Sequence, residues 1–325
     1  MSPSDRLARA SFPLLGLWCL VGGPLGAQQP VTRADAVAGA LARGARAALG
    51  RADTALAAGV LRTARAFPNP SLSATYTKDV PHQHYVADVL LDLPWLRAPR
   101  IGAAASSRDA ARYNFAFERA TIRFETDTTY THALAAMSHA RLSRRTASDA
   151  DSLLRMARLR RDVGDVSELD VRLAEVNAGQ LENVAVDDSL TALDVLLAVQ
   201  LAMGLPATTP TIVLADSLVP PSDTSSDLTE PLRVAAAGAT LRSEERALTL
   251  AHRSVFPVPS LQIGVEKDDP SEPAGTLLPT IGFSLPFPLF NWNGGEIVQA
   301  RAARDRAQAN LDLARRESAA DVARA

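Results

Sequence analysis

The chain is poor in the groups that do chemistry. Of its 325 residues one is cysteine, Cys19, and five are histidine. A lone thiol builds no disulfide framework. The imidazoles are scattered at His82, His84, His132, His139 and His252. Only His82 and His84 lie close, on an inter-strand loop, and two ligands leave a metal site incomplete. No phosphate-cradling glycine loop, HExxH or Gly-x-Ser-x-Gly occurs, so we expect no enzyme, no catalytic residue, no cofactor and no resident metal. Lys and Arg total 34 against 36 Asp and Glu, a formal net charge of −2 that provides no electrostatic footprint for nucleic acid. Beyond the N-terminus no apolar run nears the roughly 20 residues a membrane-spanning helix needs. Proline is absent from 101–161, and so is glycine after Gly102.

The N-terminus is the exception to this low hydropathy. Arg6 and Arg9 precede an apolar stretch from Phe12 to Gly23, followed by a cleavage motif at Leu25-Gly26-Ala27. Residues 1–27 therefore read as a secretory signal peptide. Cys19 falls inside it after Leu17-Trp18, a poor context for lipidation. The mature chain is expected to be exported and cysteine-free.

Internal repetition organises the rest. Phe67-Pro68-Asn69-Pro70-Ser71-Leu72 returns as Phe256-Pro257-Val258-Pro259-Ser260-Leu261, and Asp92-Leu93-Pro94-Trp95 has its echo in Ser284-Leu285-Pro286-Phe287. Each copy follows an Ala/Leu/Arg-rich stretch and precedes another, so the unit is long helix, β-hairpin, long helix. The first repeat is predicted over 28–205, with strands 71–78 and 86–93 and helices 101–161 and 168–203. A Pro/Ser/Thr-rich linker, 206–231, is expected outside the main packing. The second repeat, 232–325, carries strands 260–267 and 279–286 and a helix over 293–325. Its opening Asn293-Gly294-Gly295-Glu296 has a capping-box pattern. By comparison with the first unit, an equivalent of roughly 70 residues is missing from the second. Read as such a fragment, the chain expressed alone should form stable trimers poorly, with Leu311, Leu313 and Val322 lacking their partner.

The strands alternate polar and apolar residues with period two. In the first hairpin Leu72, Ala74 and Tyr76 oppose Ser71, Ser73 and Thr75; Ala87, Val89, Leu91 and Leu93 oppose Asp88 and Asp92. In the second, Leu261, Ile263 and Val265 oppose Gln262, Gly264 and Glu266, and Ile281, Phe283 and Leu285 oppose Thr280 and Gly282. This suits a barrel with lipid outside and water within. It also suits a soluble sheet packed on helices. Four strands per chain cannot close a barrel, and open edges are excluded from hydrocarbon. Three chains would supply twelve.

A helix over 101–161 would reach roughly 90 Å at 1.5 Å per residue, so it must lie beside other long helices. Tyr113, Phe117, Ala120 and Phe124, and in the next helix Leu169, Leu173, Val176, Leu190, Leu193, Leu197 and Leu201, keep coiled-coil spacing and are expected to form the packing seams. Between these helices Gly164 is a natural stop, and Asp165 or Ser167 a natural cap.

These phrases resemble the outer-membrane efflux proteins, the TolC-like family with its heavy-metal and drug efflux branch. The similarity rests on Asn69-Pro70-Ser71-Leu72, on Gly164 to Val171, and most specifically on Ile281 to Asn291 with Gly295-Glu296-Ile297. It implies a mainly α fold with a small β part, assembled as a homotrimer. An α-barrel tunnel would cross the periplasm and a 12-stranded transmembrane β-barrel would sit in outer-membrane lipid of a Gram-negative bacterium. The implied partners are a periplasmic adaptor (membrane fusion) protein and an inner-membrane RND-type pump. On this resemblance Asp88, Asp92, Gln262 and Glu266 line the lumen, Val89, Leu91, Ile263 and Phe283 face lipid, and Gly164, Asp165, Val166, Ser167 and Leu169 form the adaptor-facing turn. The cargo would be metal ions or drugs. A soluble periplasmic coiled-coil scaffold or adaptor protein is the alternative.

Overall fold

The computed structural model describes residues 29–79, 81–219, 231–267, 273 and 275–324. The signal peptide, and residues 220–230 of the predicted linker, lie outside these residues. The elements run β1 (Gln29–Val31), α1 (Arg33–Arg43), α2 (Ala45–Arg65), β2 (Ser71–Tyr76), β3 (Gln83–Leu90), α3 (Pro94–Asp162), α4 (Glu168–Ala202), β4 (Ile212–Leu214), α5 (Leu232–Arg253), β5 (Ser260–Lys267), β6 (Leu277–Ser284) and α6 (Gly294–Arg324). Both helix–hairpin–helix units are thus present. No helix among the described residues is long and apolar enough to cross a membrane.

Helix α3 has 69 residues, about 100 Å at 1.5 Å per residue. It starts seven residues before the expected Ile101 and runs through Pro99. Pro94 occupies the first turn, where a missing N–H costs nothing. The amides of Leu96 and Arg97 both bond Leu93 O, at 3.0 and 2.9 Å. Leu96 is buried, so tertiary packing overrides the local preference against a proline inside the helix.

Helix α4 returns antiparallel along α3, and the seam between them differs from the expected one. Its α3 side is built from Ala133, Ala140, Ala147, Ala150 and Leu154, and its α4 side from Val171, Ala185, Ala192, Leu196 and Val199, all buried. Small side chains let the two backbones approach closely. The larger stripe predicted as core, Leu169, Leu173, Val176, Leu190, Leu193 and Leu201, is exposed in the single chain, as are Tyr113 and Phe124; Leu197, Phe117 and Ala120 are half-buried. Heptad spacing was present in both stripes, and only packing could choose between them.

The largest core gathers Val31, Tyr130, Leu196, Val199, Ile212 and Leu214. Residues 212–214 were expected outside the packing; instead β4 pairs in parallel with β1, and Ile212 is buried. Two buried polar groups make this possible. Gln200 donates to Pro206 O and Thr209 O and accepts from the amides of Thr211 and Ile212. Tyr130, 0% exposed, donates its hydroxyl to Val31 O at 2.8 Å. Burial pushes its phenol pKa up, so the donor keeps its proton at any ordinary pH. Replacing Tyr130 by phenylalanine removes this bond while Val31 O keeps the Ala215 amide at 3.0 Å, and should cost about 1 kcal/mol in denaturant titration.

Helix α6 lies on α5, where Val234, Leu241, Ala307 and Leu311 form one cluster. Leu311, expected to lack a partner, is covered by α5, while Leu313 and Val322 are exposed. The predicted capping box at Asn293 does not form. Asn293 adopts φ 59 and donates its side-chain amide across to Ala251 O and Ser254 Oγ, at 3.0 and 3.1 Å. Those acceptors close the C-terminal end of α5, so the residue ties two helix ends together.

Candidate functional site

The four long strands form one antiparallel sheet in the order β2-β3-β5-β6. Its central pairing, β3 with β5, joins the two repeats along eight residues from Gln83↔Lys267 to Leu90↔Ser260. Directly opposed residues share a face, so the register sorts every side chain. Ser71, Asp88, Gln262 and Gly282 lie in one row; Thr75, His84, Glu266 and Leu278 lie in another on the same face. The opposite face carries Leu72, Ala87, Ile263 and Ile281 in one row, and Val89, Leu261 and Phe283 in another. Asp88, Gln262 and Glu266 therefore share one face; Val89, Ile263 and Phe283 share the other.

On the apolar face Leu72, Tyr76, Tyr85, Ile263, Leu277, Ile281 and Phe283 are exposed, Ile281 at 81%. No helix packs on the sheet among the described residues. A soluble sheet of this alternation would cover its apolar side. On the polar face His84 Nδ1 lies 3.5 Å from Glu266 Oε1. Gly264 accommodates the opposed Thr280 side chain on that face, since a Cβ there would meet Thr280 Oγ1 at 2.7 Å and Tyr85 O at 2.8 Å. Strands β2 and β6 each keep one edge free within the sheet.

Strand β3 begins and ends three residues earlier than predicted, because pairing with β5 carries the ladder out to polar Gln83 and helix α3 captures the other end. Leu91 still donates its amide to Pro259 O at 2.8 Å. Asp92 lies beyond the strand and does not continue the row of Asp88. Its carboxylate is 1% exposed and pairs with Arg97 at 2.6 Å and Arg100 at 2.7 Å. The same guanidinium groups reach Arg65 O and Ala64 O, carbonyls at the end of α2. Burial alone would raise the Asp92 pKa, but hydrogen bonds from Arg100 and Arg97 hold it below the usual aspartate range. Asp92 thus clasps the sheet to two helices. The signal was the spacing of one acidic residue five and eight positions ahead of arginine at a helix start.

Loss of this clasp should be measurable. Asp92→Ala leaves two guanidinium groups without their shared anion and should destabilise by about 3 kcal/mol, the low end for buried pairs since both arginines keep some water contact. The folded pKa is depressed, so the contribution is complete above the unfolded aspartate value of about 3.9 and is lost as pH falls through the lower folded value. As pH falls below about 4, the gap in melting temperature between wild type and Asp92→Ala should begin to narrow.

The far end of the α3–α4 hairpin is the second candidate surface. Gly164 takes φ 80, a left-handed conformation that favours glycine, and Gly164 and Asp165 donate to Arg161 O and Arg160 O, both at 2.9 Å. Ser167 is the cap: its hydroxyl accepts from Asp170 N at 3.2 Å while Asp170 accepts from Ser167 N at 3.0 Å. The Ser167 hydroxyl also lowers the Asp170 pKa. Asp165 instead pairs with Arg160 at 2.7 Å. Around this rigid turn Leu159, Val163 and Leu169 are exposed and Val166 is half-buried. His82, by contrast, stacks against Tyr76 at 6.1 Å, and no group of three or more potential metal ligands occurs among the described residues.

Solved structures share this architecture. CmeC, an outer membrane channel of Campylobacter jejuni, aligns with a TM-score of 0.68 and 15% identity over 96% of this chain and 75% of its own. VceC, an outer membrane protein of Vibrio cholerae, gives 0.65 and 16% over 86% and 74%. A membrane protein from Pseudomonas aeruginosa gives 0.70 and 17% over 87% and 73%. At these identities the likeness establishes the fold. No protein-family model and no curated protein matches the sequence.

Proposed function

From a fold shared with outer-membrane proteins and channels, we propose that this chain is one subunit of a homotrimeric efflux channel in the outer membrane of a Gram-negative bacterium. The observation that carries the reading is the four-stranded sheet: an uncovered apolar face, a polar face with Asp88, Gln262 and Glu266, and two free edges. Edges cannot remain open in hydrocarbon. Three copies joined β6 to β2 close a twelve-stranded barrel with the polar face inward. The exposed leucine stripe of α4 supports the same assembly, since neighbouring chains would cover it in a helical tunnel.

The chain performs no catalysis on this reading; it is a passive duct. The hairpin turn at Gly164, Asp165, Val166, Ser167 and Leu169 would face a periplasmic adaptor protein, which couples it to an inner-membrane pump of the RND type. Cargo would be metal ions or drugs, passing over a lumen whose acidic groups are Asp88 and Glu266. A periplasmic scaffold of long helices is the competing reading, favoured only by the helical content.

Extraction separates the two. Membranes of an expressing Gram-negative cell should retain the protein in concentrated salt and in alkaline carbonate, and release it only in detergent. Release by salt would overturn the channel reading in favour of the scaffold.

A further inference from the structure

Helices α2, α3, α5 and α6 lie side by side in that order, which is the order of their strands β2-β3-β5-β6. Helix α3, leaving the first hairpin, packs on α5, which enters the second, and Asn114 donates to Thr240 Oγ1 at 3.5 Å. Among the described residues α6, leaving the second hairpin, has no further helix on its outer side, and neither has α2 on its own.

Both outer edges carry an ordered stripe. On α2 it is Ala45, Leu49, Ala52, Leu56, Gly59 and Thr63, spaced alternately by four and three as in a coiled coil. All six are exposed, Leu49 at 65% and Leu56 at 69%. The stripe lies away from Ala47, Leu61 and Ala64, through which α2 packs inside the chain. On α6 the stripe is Val298, Ala302, Ala309 and Leu313, also exposed and turned away from buried Ala307, Leu311 and Ala314. Gly59 stands in mid-helix, where glycine weakens the helix, and a Cβ there would meet nothing within 4 Å. No described part of this chain needs that space.

The internal repeat supplies a register between copies. The exit phrases at Leu93 and Leu285 are 192 residues apart, and the entry phrases at Phe67 and Phe256 are 189 apart. Shifted by these spacings, the pairing of Asn114 with Thr240 sets Arg306 level with Arg51 of a second copy. The two helices run antiparallel. That level brings Leu56 onto Ala302, Leu49 onto Ala309, Leu313 onto Ala45 and Val298 onto Gly59, each to within one residue. Every large side chain meets a small one, as dense packing between two helices requires. Asp53 falls within two residues of the level of Arg306, about 3 Å along the axis, and neither has an ion pair among the described residues.

We propose that α6 of one copy packs on α2 of the next along these stripes, large side chain on small. The proposal rests on the homotrimeric channel reading and adds to it which helices meet, through which residues and in which register. Three such seams close the ring of helices as β6–β2 pairing closes the sheet.

Cys19 lies in the predicted signal peptide, so introduced thiols are the only ones in the mature chain. Leu56→Cys with Ala302→Cys, oxidised in membranes, should give disulfide-linked dimers and trimers on non-reducing gels. Leu56→Cys with Ala309→Cys uses the same stripes seven residues out of register. That is about 10 Å, beyond the reach of a disulfide, and should give roughly tenfold less product. Independently, Ala302→Leu should lower the trimer fraction several-fold, and Leu56→Ala in the same chain should restore it. Light scattering of the detergent-solubilised protein gives its mass without any thiol. A trimer whose matched pair fails to link, or links no better than the shifted pair, overturns the seam and leaves the channel reading standing. A trimer indifferent to Ala302→Leu does the same. A protein that stays a single chain in detergent and under oxidation overturns both.

Discussion

Replacing Ile281 by arginine is expected to abolish membrane assembly, whereas Gln262→Arg is expected to be tolerated. Ile281 is 81% exposed on the apolar face, near the middle of β6. In the proposed barrel it meets lipid near the bilayer midplane, where an arginine costs about 2–4 kcal/mol. The penalty is incurred once per chain, hence three times in a trimer. Gln262 is opposed to Gly282 and Asp88 on the polar face, so an arginine there would meet water and a carboxylate. The measurement is the detergent-requiring fraction of each variant relative to wild type. Equal membrane retention of Ile281→Arg and wild type would show that this face does not meet lipid.

The hairpin end should give an equally large effect of a different kind. Val166→Asp combined with Leu169→Asp is expected to leave the trimer fraction at the parent chain's level and to abolish whatever export the parent supports through the assembled pump. Leu169 is 67% exposed and Val166 half-buried, so neither anchors the intrachain core. The turn geometry resides in Gly164 and the Ser167–Asp170 capping box, which the double change leaves untouched. Two added carboxylates would sit beside Asp162, Asp165 and Glu168, turning a mixed surface strongly acidic. Efflux by a strain supplied with adaptor and pump is one readout, and cross-linking of the trimer is the other. Undiminished efflux would mean that the turn only connects two helices.

How well the sequence could be read depended on how local each signal was. The strands of the second hairpin were legible to within two residues because Leu261, Ile263 and Val265 alternate cleanly between proline-marked boundaries. The Gly164 turn was legible because a left-handed stop and a serine cap are decided within a few residues. Strand β3 was displaced by three residues because its length is set by β5, some 170 positions away in the chain. The β1–β4 pair was invisible for the same reason: two three-residue strands carry too little pattern to be seen without each other.

Among the candidate site residues, Asp88, Gln262 and Glu266 share a face as their parity predicted. Asp92 shares that parity in sequence, but the helix begins at Pro94 and its arginines capture the carboxylate. Parity holds only while the strand lasts.

Composition and periodicity alone determined that this chain builds two long-helix and hairpin units and that the strands of its sheet alternate a polar and an apolar side. Those properties follow from backbone period and from which side chains are present. The tertiary structure alone decided which stripe of each helix is used inside the chain. The alanine seam of α3 and α4 is buried and the leucine stripe of α4 is left outward, although both repeat at the same spacing. Periodicity defines a face but not its neighbour. The neighbour is chosen by how closely two backbones can approach, and that depends on side chains distant in sequence.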